Sequence, residues 1–170
     1  MSASPSANGS TGATAALARF IADTPHSQVP QAALDGARDA MIDTVGCALA
    51  GLQDEPCRIA RELITEQGGK PQAQVWGTGL RSHAGAAAFA NAIAGHALDF
   101  DDSSLNLRGH PSALMMAVAL AVGESVHASG REVLAAYACG LEAGAKIAPA
   151  LGPDHYFRGD RKSTRLNSSH

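Results

Sequence analysis

The sequence predicts an all-α domain with at most one short extended segment, on three observations. Apolar residues recur every three or four positions through most of the chain, the period of a helix face. Prolines and glycines fall between those stretches, where helices start and stop. Hydrophobic residues make up 45% of the chain and aromatics only 4%, so Ala, Leu, Val and Gly must fill the core. Small residues on apolar faces let helix backbones approach closely.

The elements follow in order. A first helix fits Ala13 to Asp23, with Leu17, Phe20 and Ile21 on one face. Thr24-Pro25 ends it, because the residue before a proline is pushed out of the helical region. Pro30 suits the first position of a second helix, which runs to about Leu49 on Leu34, Ala37, Met41 and Val45. Gly51 is a stop. Glu55 to Gln67 is a third helix, with Ile59, Leu63 and Ile64 inward and Gly68-Gly69 beyond it. Gln72 to Thr78 alternates and carries Val75 and Trp76, which favours an extended segment. Ser82 can cap a fourth helix, His83 to Leu98. Pro111 opens a fifth, through about His127, and Glu132 to Ala148 is a sixth.

Composition excludes several classes. The 170 residues carry 13 basic and 16 acidic side chains, net −3, which leaves no footprint for nucleic acid or anionic lipid. Three cysteines, Cys47, Cys57 and Cys139, form no C-x-x-C pair, so a disulfide framework is not expected and a cytoplasmic, reduced chain is. The longest apolar run, Ala113 to Val122, is about half of the ~20 residues a membrane span needs. Residues 1–12 lack the basic and apolar regions of a secretory signal and read as a disordered leader. After Asp160 the chain turns abruptly polar and aperiodic, and residues 161–170 read as a non-native tail similar to a translated cloning adapter.

Chemistry concentrates between the fourth and fifth helices. From His96 to Ser112 the chain holds Asp99, Asp101, Asp102, Ser103, Ser104, Arg108 and His110. A loop held between rigid apolar helices is where catalytic groups gather. Crowded carboxylates hold a proton more readily than isolated ones, which suits one of them to proton transfer. The structural alternative is that Asp101, Asp102 or Ser104 only cap helices. A second functional alternative is a metal site on Asp99, Asp101, Asp102 and His110. That ligand set is incomplete, and no metal and no cofactor are expected. There is no phosphate-binding loop and no nucleophile elbow.

At this loop the sequence resembles the MmgE/PrpD family, whose members include 2-methylcitrate dehydratase, cis-aconitate decarboxylase and iminodisuccinate epimerase. Three segments carry the likeness. The first is Met41-Ile-Asp43-Thr-Val-Gly46-Cys-Ala-Leu-Ala-Gly51. The second is Val75-Trp-Gly77, then Ala87-Ala-Phe-Ala-Asn91-Ala92 and His96-Ala-Leu-Asp99-Phe-Asp101-Asp102. The third is Gly109-His110-Pro111-Ser112. Ala92 departs from the glycine the family often has after the asparagine. The likeness covers roughly Ala13 to Asp160.

The resemblance implies the N-terminal part of a large helical domain, incomplete over residues 13–160, from a longer protein that forms a homodimer. It implies a cofactor-free lyase that dehydrates or decarboxylates a small di- or tricarboxylate such as 2-methylcitrate or cis-aconitate. By the same likeness Asp99 and His110 are catalytic, Ser103 is a nearby hydroxyl, and Asp102 and Arg108 are substrate-binding candidates by proximity. A family histidine should follow Asp160, where Arg161 stands instead. On this reading the chain alone is inactive. The competing expectation is a helical binding module without chemistry.

Overall fold

The computed structural model describes residues 12–152. The expected leader, apart from Gly12, and the expected tail lie outside them. Six helices dominate: α1 (Ala13–Asp23), α2 (Gln31–Gly51), α3 (Glu55–Gln67), α4 (Ala84–His96), α5 (Pro111–Ser125) and α6 (Gly130–Leu151). A single turn of 3-10 helix, His26–Gln28, links α1 to α2. The bounds of α1 and α3 are those the periodicity predicts. α4 begins after His83, whose ring Nδ1 accepts from the Ala86 N–H and so takes the capping place expected of Ser82. α6 begins two residues early because Ser129 and Glu132 form a capping box, satisfying two backbone donors reciprocally. The S-x-x-E spacing of that box is visible in the sequence.

The extended segment is half of a hairpin. β1 (Ala73–Gln74) pairs antiparallel with β2 (Arg81–Ser82), Ala73 opposite Ser82 and Gln74 opposite Arg81. The second strand has no apolar alternation to announce it. Asn91 of α4, 1% exposed, fixes the hairpin to the helices: its amide oxygen accepts from Trp76 N–H and its NH2 donates to the Gln74 carbonyl.

α4 is the central helix, packed against α2, α3 and α5. Its buried residues are nearly all small: Ala86, Ala87, Ala88, Ala90, Ala94 and Gly95, with Asn91. Close approach explains that choice. At the end of α2, a Cβ on Gly51 would stand 2.8 Å from the Ala94 carbonyl oxygen, so only glycine fits there. One core joins α3, the hairpin, α4 and α5 through Ala60, Ile64, Val75, Ala87 and Ala121. A second joins α2, α5 and α6 through Ala37, Met116 and Tyr137.

Of the three α3 residues expected inward, Ile64 is buried and Ile59 and Leu63 are not. Cys57, Ala60 and Ile64 are buried, whereas Ile59 and Leu63 are 51% and 42% exposed. The buried three pack on the Ala-lined α4, and Ile59 and Leu63 lie on the flank. α5 shows a comparable open face, with Leu114, Val118 and Val122 exposed and Val126 exposed just beyond its end. Among the described residues no helix is long and apolar enough to cross a membrane.

Candidate active site

The chemistry-bearing loop runs from the last residue of α4, His96, to the first residues of α5, Pro111 and Ser112. Its path is set by three devices. Asp99 and Arg108 adopt left-handed backbone, φ 55° and 52°, a conformation that Asp tolerates better than most residues. Ser104 and Gly109 bridge antiparallel, N–H to carbonyl in both directions, and the Ser104 hydroxyl accepts from Leu107 N–H. Leu107 then rests on α6, where a Cβ on Gly144 would stand 3.1 Å from its Cδ2. The loop is thereby anchored to a helix far away in sequence.

The three aspartates, adjacent in sequence, diverge in space. The Asp101 side chain is wholly buried. Both its oxygens lie 3.0 Å from His96 Nδ1. Asp99 is 70% exposed, and its Oδ1 is 3.6 Å from His110 Nε2. His110 Nδ1 faces the other way, 3.6 Å from Asp101 Oδ1 and 3.4 Å from the Asp101 carbonyl. The two imidazoles sit side by side, ring centres 4.8 Å apart.

Asp102 points away from this group. Its carboxylate accepts from the Ser112 N–H and hydroxyl, satisfying a donor in the first turn of α5. The Ser112 hydroxyl also meets Tyr137 Oη of α6. For Asp102, then, the geometry is that of a helix cap. Ser103 and Arg108 lie exposed on the loop. The structure thus brings together Asp99 and His110 of the expected residues. It adds His96, and it adds Asp101, which the sequence offers only as a metal ligand or a helix cap. Their spacing, five residues with the first ending a helix, was legible in the sequence. The inward turn of Asp101 was not.

The carboxylates act on their surroundings. Burial pushes the Tyr137 phenol above its usual range and the Asp102 charge adds to that, against the Ser112 hydrogen bond. Burial likewise raises the Cys47 thiol of α2, helped by the charges of Asp43, Asp101 and Asp102. A thiol held protonated in this way is a poor nucleophile.

Two kinds of chemistry suit the cluster. A proton on either His110 Nε2 or Asp99 faces an acceptor on the other, the arrangement of an acid/base pair that opens to solvent on the Asp99 side. One ligand atom from each of His96, Asp99, Asp101 and His110 also falls within 4.8 Å of the others, a set of two nitrogens and two oxygens able to approach a divalent cation. His96 takes the place in that set that the sequence reading gave to Asp102.

No curated protein matched the chain. The family model described as the MmgE/PrpD N-terminal domain matches residues 15–163. The match spans α1 to α6 and the loop, and reaches three residues beyond Asp160, into the segment expected to be foreign. By this match over most of its length, the chain belongs to the MmgE/PrpD family, known for dehydratase and lyase-type activity.

Proposed function

We propose that the loop from His96 to Ser112 is the acid/base site of a cofactor-free lyase acting on a small di- or tricarboxylate. The observation that carries this reading is the Asp99–His110 contact, an exposed carboxylate facing an imidazole whose far nitrogen is turned toward buried Asp101. In a dehydration, one group takes the proton beside a carboxylate while an acid delivers a proton to the departing hydroxyl, which leaves as water. In a decarboxylation, the carbon that loses carbon dioxide takes a proton from the acid. An epimerisation needs only removal and return of a proton. Asp99 and His110 supply these proton transfers, and Ser103 an exposed hydroxyl on the same loop. Substrates such as 2-methylcitrate or cis-aconitate fit the class.

A polycarboxylate would meet the negative field of Asp99, Asp101 and Asp102, so the site needs cations. Arg108 brings one to the loop. In this reading the others come from sequence beyond the described residues or from a second copy in a homodimer, and the 170-residue chain is an inactive N-terminal part of a cytoplasmic enzyme. Asp102 serves the site by holding the start of α5.

The test is Asp99→Asn and His110→Asn in the complete enzyme, assayed on 2-methylcitrate and cis-aconitate. The expected loss in kcat is about 100- to 10,000-fold, the usual worth of a general acid or base, with unchanged melting. Undiminished kcat would sink the acid/base reading. Turnover by the 170-residue chain at the rate of a complete enzyme would sink the fragment reading.

The four-ligand cluster supports a second reading, a metal-dependent lyase on the same loop. Elemental analysis and chelator treatment separate the two: bound metal and loss of activity with EDTA favour this one.

A further inference from the structure

We infer that Asp101 is the positioning residue of this loop: a buried carboxylate that fixes which ring nitrogen of His96, and of His110, carries the proton. The consequence for catalysis rests on the acid/base reading above; the tautomers themselves do not.

The argument begins with burial. A carboxylate out of contact with water needs hydrogen-bond donors, because an unpartnered buried charge is costly. The Asp101 side chain is wholly buried, and His96 Nδ1 lies 3.0 Å from both of its oxygens. An ionised carboxylate only accepts, so the proton of a neutral His96 must sit on Nδ1. The second imidazole is turned the same way. His110 Nδ1 faces the Asp101 carbonyl at 3.4 Å and its Oδ1 at 3.6 Å, so a proton is favoured there too. One residue thus addresses the same nitrogen of both rings.

Free histidine in water prefers the proton on Nε2, so the contact reverses the intrinsic preference. The hydrogen bond made by one ring nitrogen sets the state of the other. Both rings then present an unprotonated Nε2, and that of His110 faces Asp99 at 3.6 Å. His96 is 40% exposed, so its ring remains within reach of a molecule entering the loop. When Nε2 takes a proton from a carbon acid, the C–H bond breaks and its electron pair stays on the carbon. The ring becomes an imidazolium whose other N–H already points at a carboxylate or a carbonyl. The new charge is met without rearrangement, as carboxylate partners do for histidines elsewhere.

A purely structural role is the alternative, because Asp101 also ties the end of α4 to the start of α5. Long-range proton–nitrogen NMR of the imidazoles separates them. In the 170-residue chain at pH 8, the expected spectrum shows Nδ1 of His96 and His110 as protonated-type nitrogens and Nε2 as pyridine-type. Nε2–H forms dominating both rings would overturn the proposal, with no variant needed. In Asp101→Leu, similar in volume and without an acceptor, His96 should lose its Nδ1–H preference. His83, which accepts at Nδ1 from Ala86 N–H, should keep its Nε2–H form as an internal control. A folded Asp101→Leu chain with an unchanged His96 spectrum would also overturn it. The outcomes distinguish the two proposals. The expected tautomers with undiminished kcat in Asp99→Asn and His110→Asn would leave positioning standing and remove the acid/base reading. Inverted tautomers with a large loss of kcat would do the reverse.

Discussion

The carboxylate of Asp102 accepts both hydrogen-bond donors of Ser112, the backbone N–H at 3.0 Å and the hydroxyl at 2.6 Å. Because that hydroxyl donates to Asp102, the Tyr137 phenol must donate to Ser112, and a chain of hydrogen bonds runs from α6 through α5 into the loop. Asp102→Ala would leave the Ser112 donors without their acceptor. The expected cost is about 1–3 kcal/mol in urea unfolding. Asp99→Asn, at a 70% exposed side chain and with a residue that tolerates the left-handed backbone equally well, should stay within about 0.5 kcal/mol. Equal costs at the two positions would contradict the division of labour between cap and acid/base group.

Tyr137 sets an alkaline limit. Its phenol is raised above the usual value, by burial first and by the Asp102 charge. A group raised on folding contributes stability that is whole below its unfolded value and is lost as pH climbs through the folded one. Stability should therefore fall above about pH 10, the ordinary tyrosine value. Urea midpoints measured across that range should decline less steeply in Tyr137→Phe. Identical pH dependence in the two proteins would count against a buried, neutral phenol.

Asn91 should prove a structural keystone without catalytic weight. Asn91→Leu leaves Trp76 N–H and the Gln74 carbonyl without their partner in a half-buried place. A loss of at least about 1 kcal/mol is expected, in line with an unsatisfied buried group. Hydrogen exchange at Trp76 should speed up as the hairpin loosens. A neutral effect on both would mean that water replaces the side chain.

The open stripe on α5 should make the isolated chain sticky. Leu114, Val118, Val122 and Val126 lie four apart and are 44–65% exposed. A contiguous apolar surface favours association. Sedimentation of the 170-residue chain should show concentration-dependent assembly, reduced in a Val118→Glu, Val122→Glu double variant. A monodisperse monomer at high concentration would weigh against the incomplete-domain reading.

Period and punctuation made the helices legible. α1 to α3 carry apolar residues every three or four positions, and Thr24-Pro25, Gly68 and Pro111 mark ends by backbone chemistry that acts within a few residues. β2 was not legible because two residues give no alternation, and its strand character comes from pairing with β1, which Asn91 on a later helix holds in place. On α3 periodicity places Ile64 inward correctly but offers Ile59 and Leu63 beside it, and only packing on the small-residue surface of α4 selects Cys57 and Ala60 instead.

For the candidate site, the sequence by itself determined the place and the cast: carboxylates and imidazoles crowded between two apolar helices, with Asp99 and His110 among them. Only the tertiary structure decided their roles. In a loop, side-chain direction follows single backbone angles rather than a period, and here a positive φ at Asp99, the Ser104–Gly109 bridge and the seat of Leu107 on α6 set those angles. They turn Asp101 inward to two histidines, Asp102 onto Ser112, and leave Asp99 facing solvent. Three acids of near-identical sequence context acquire three different surroundings because the contacts that orient them come from residues distant in the chain.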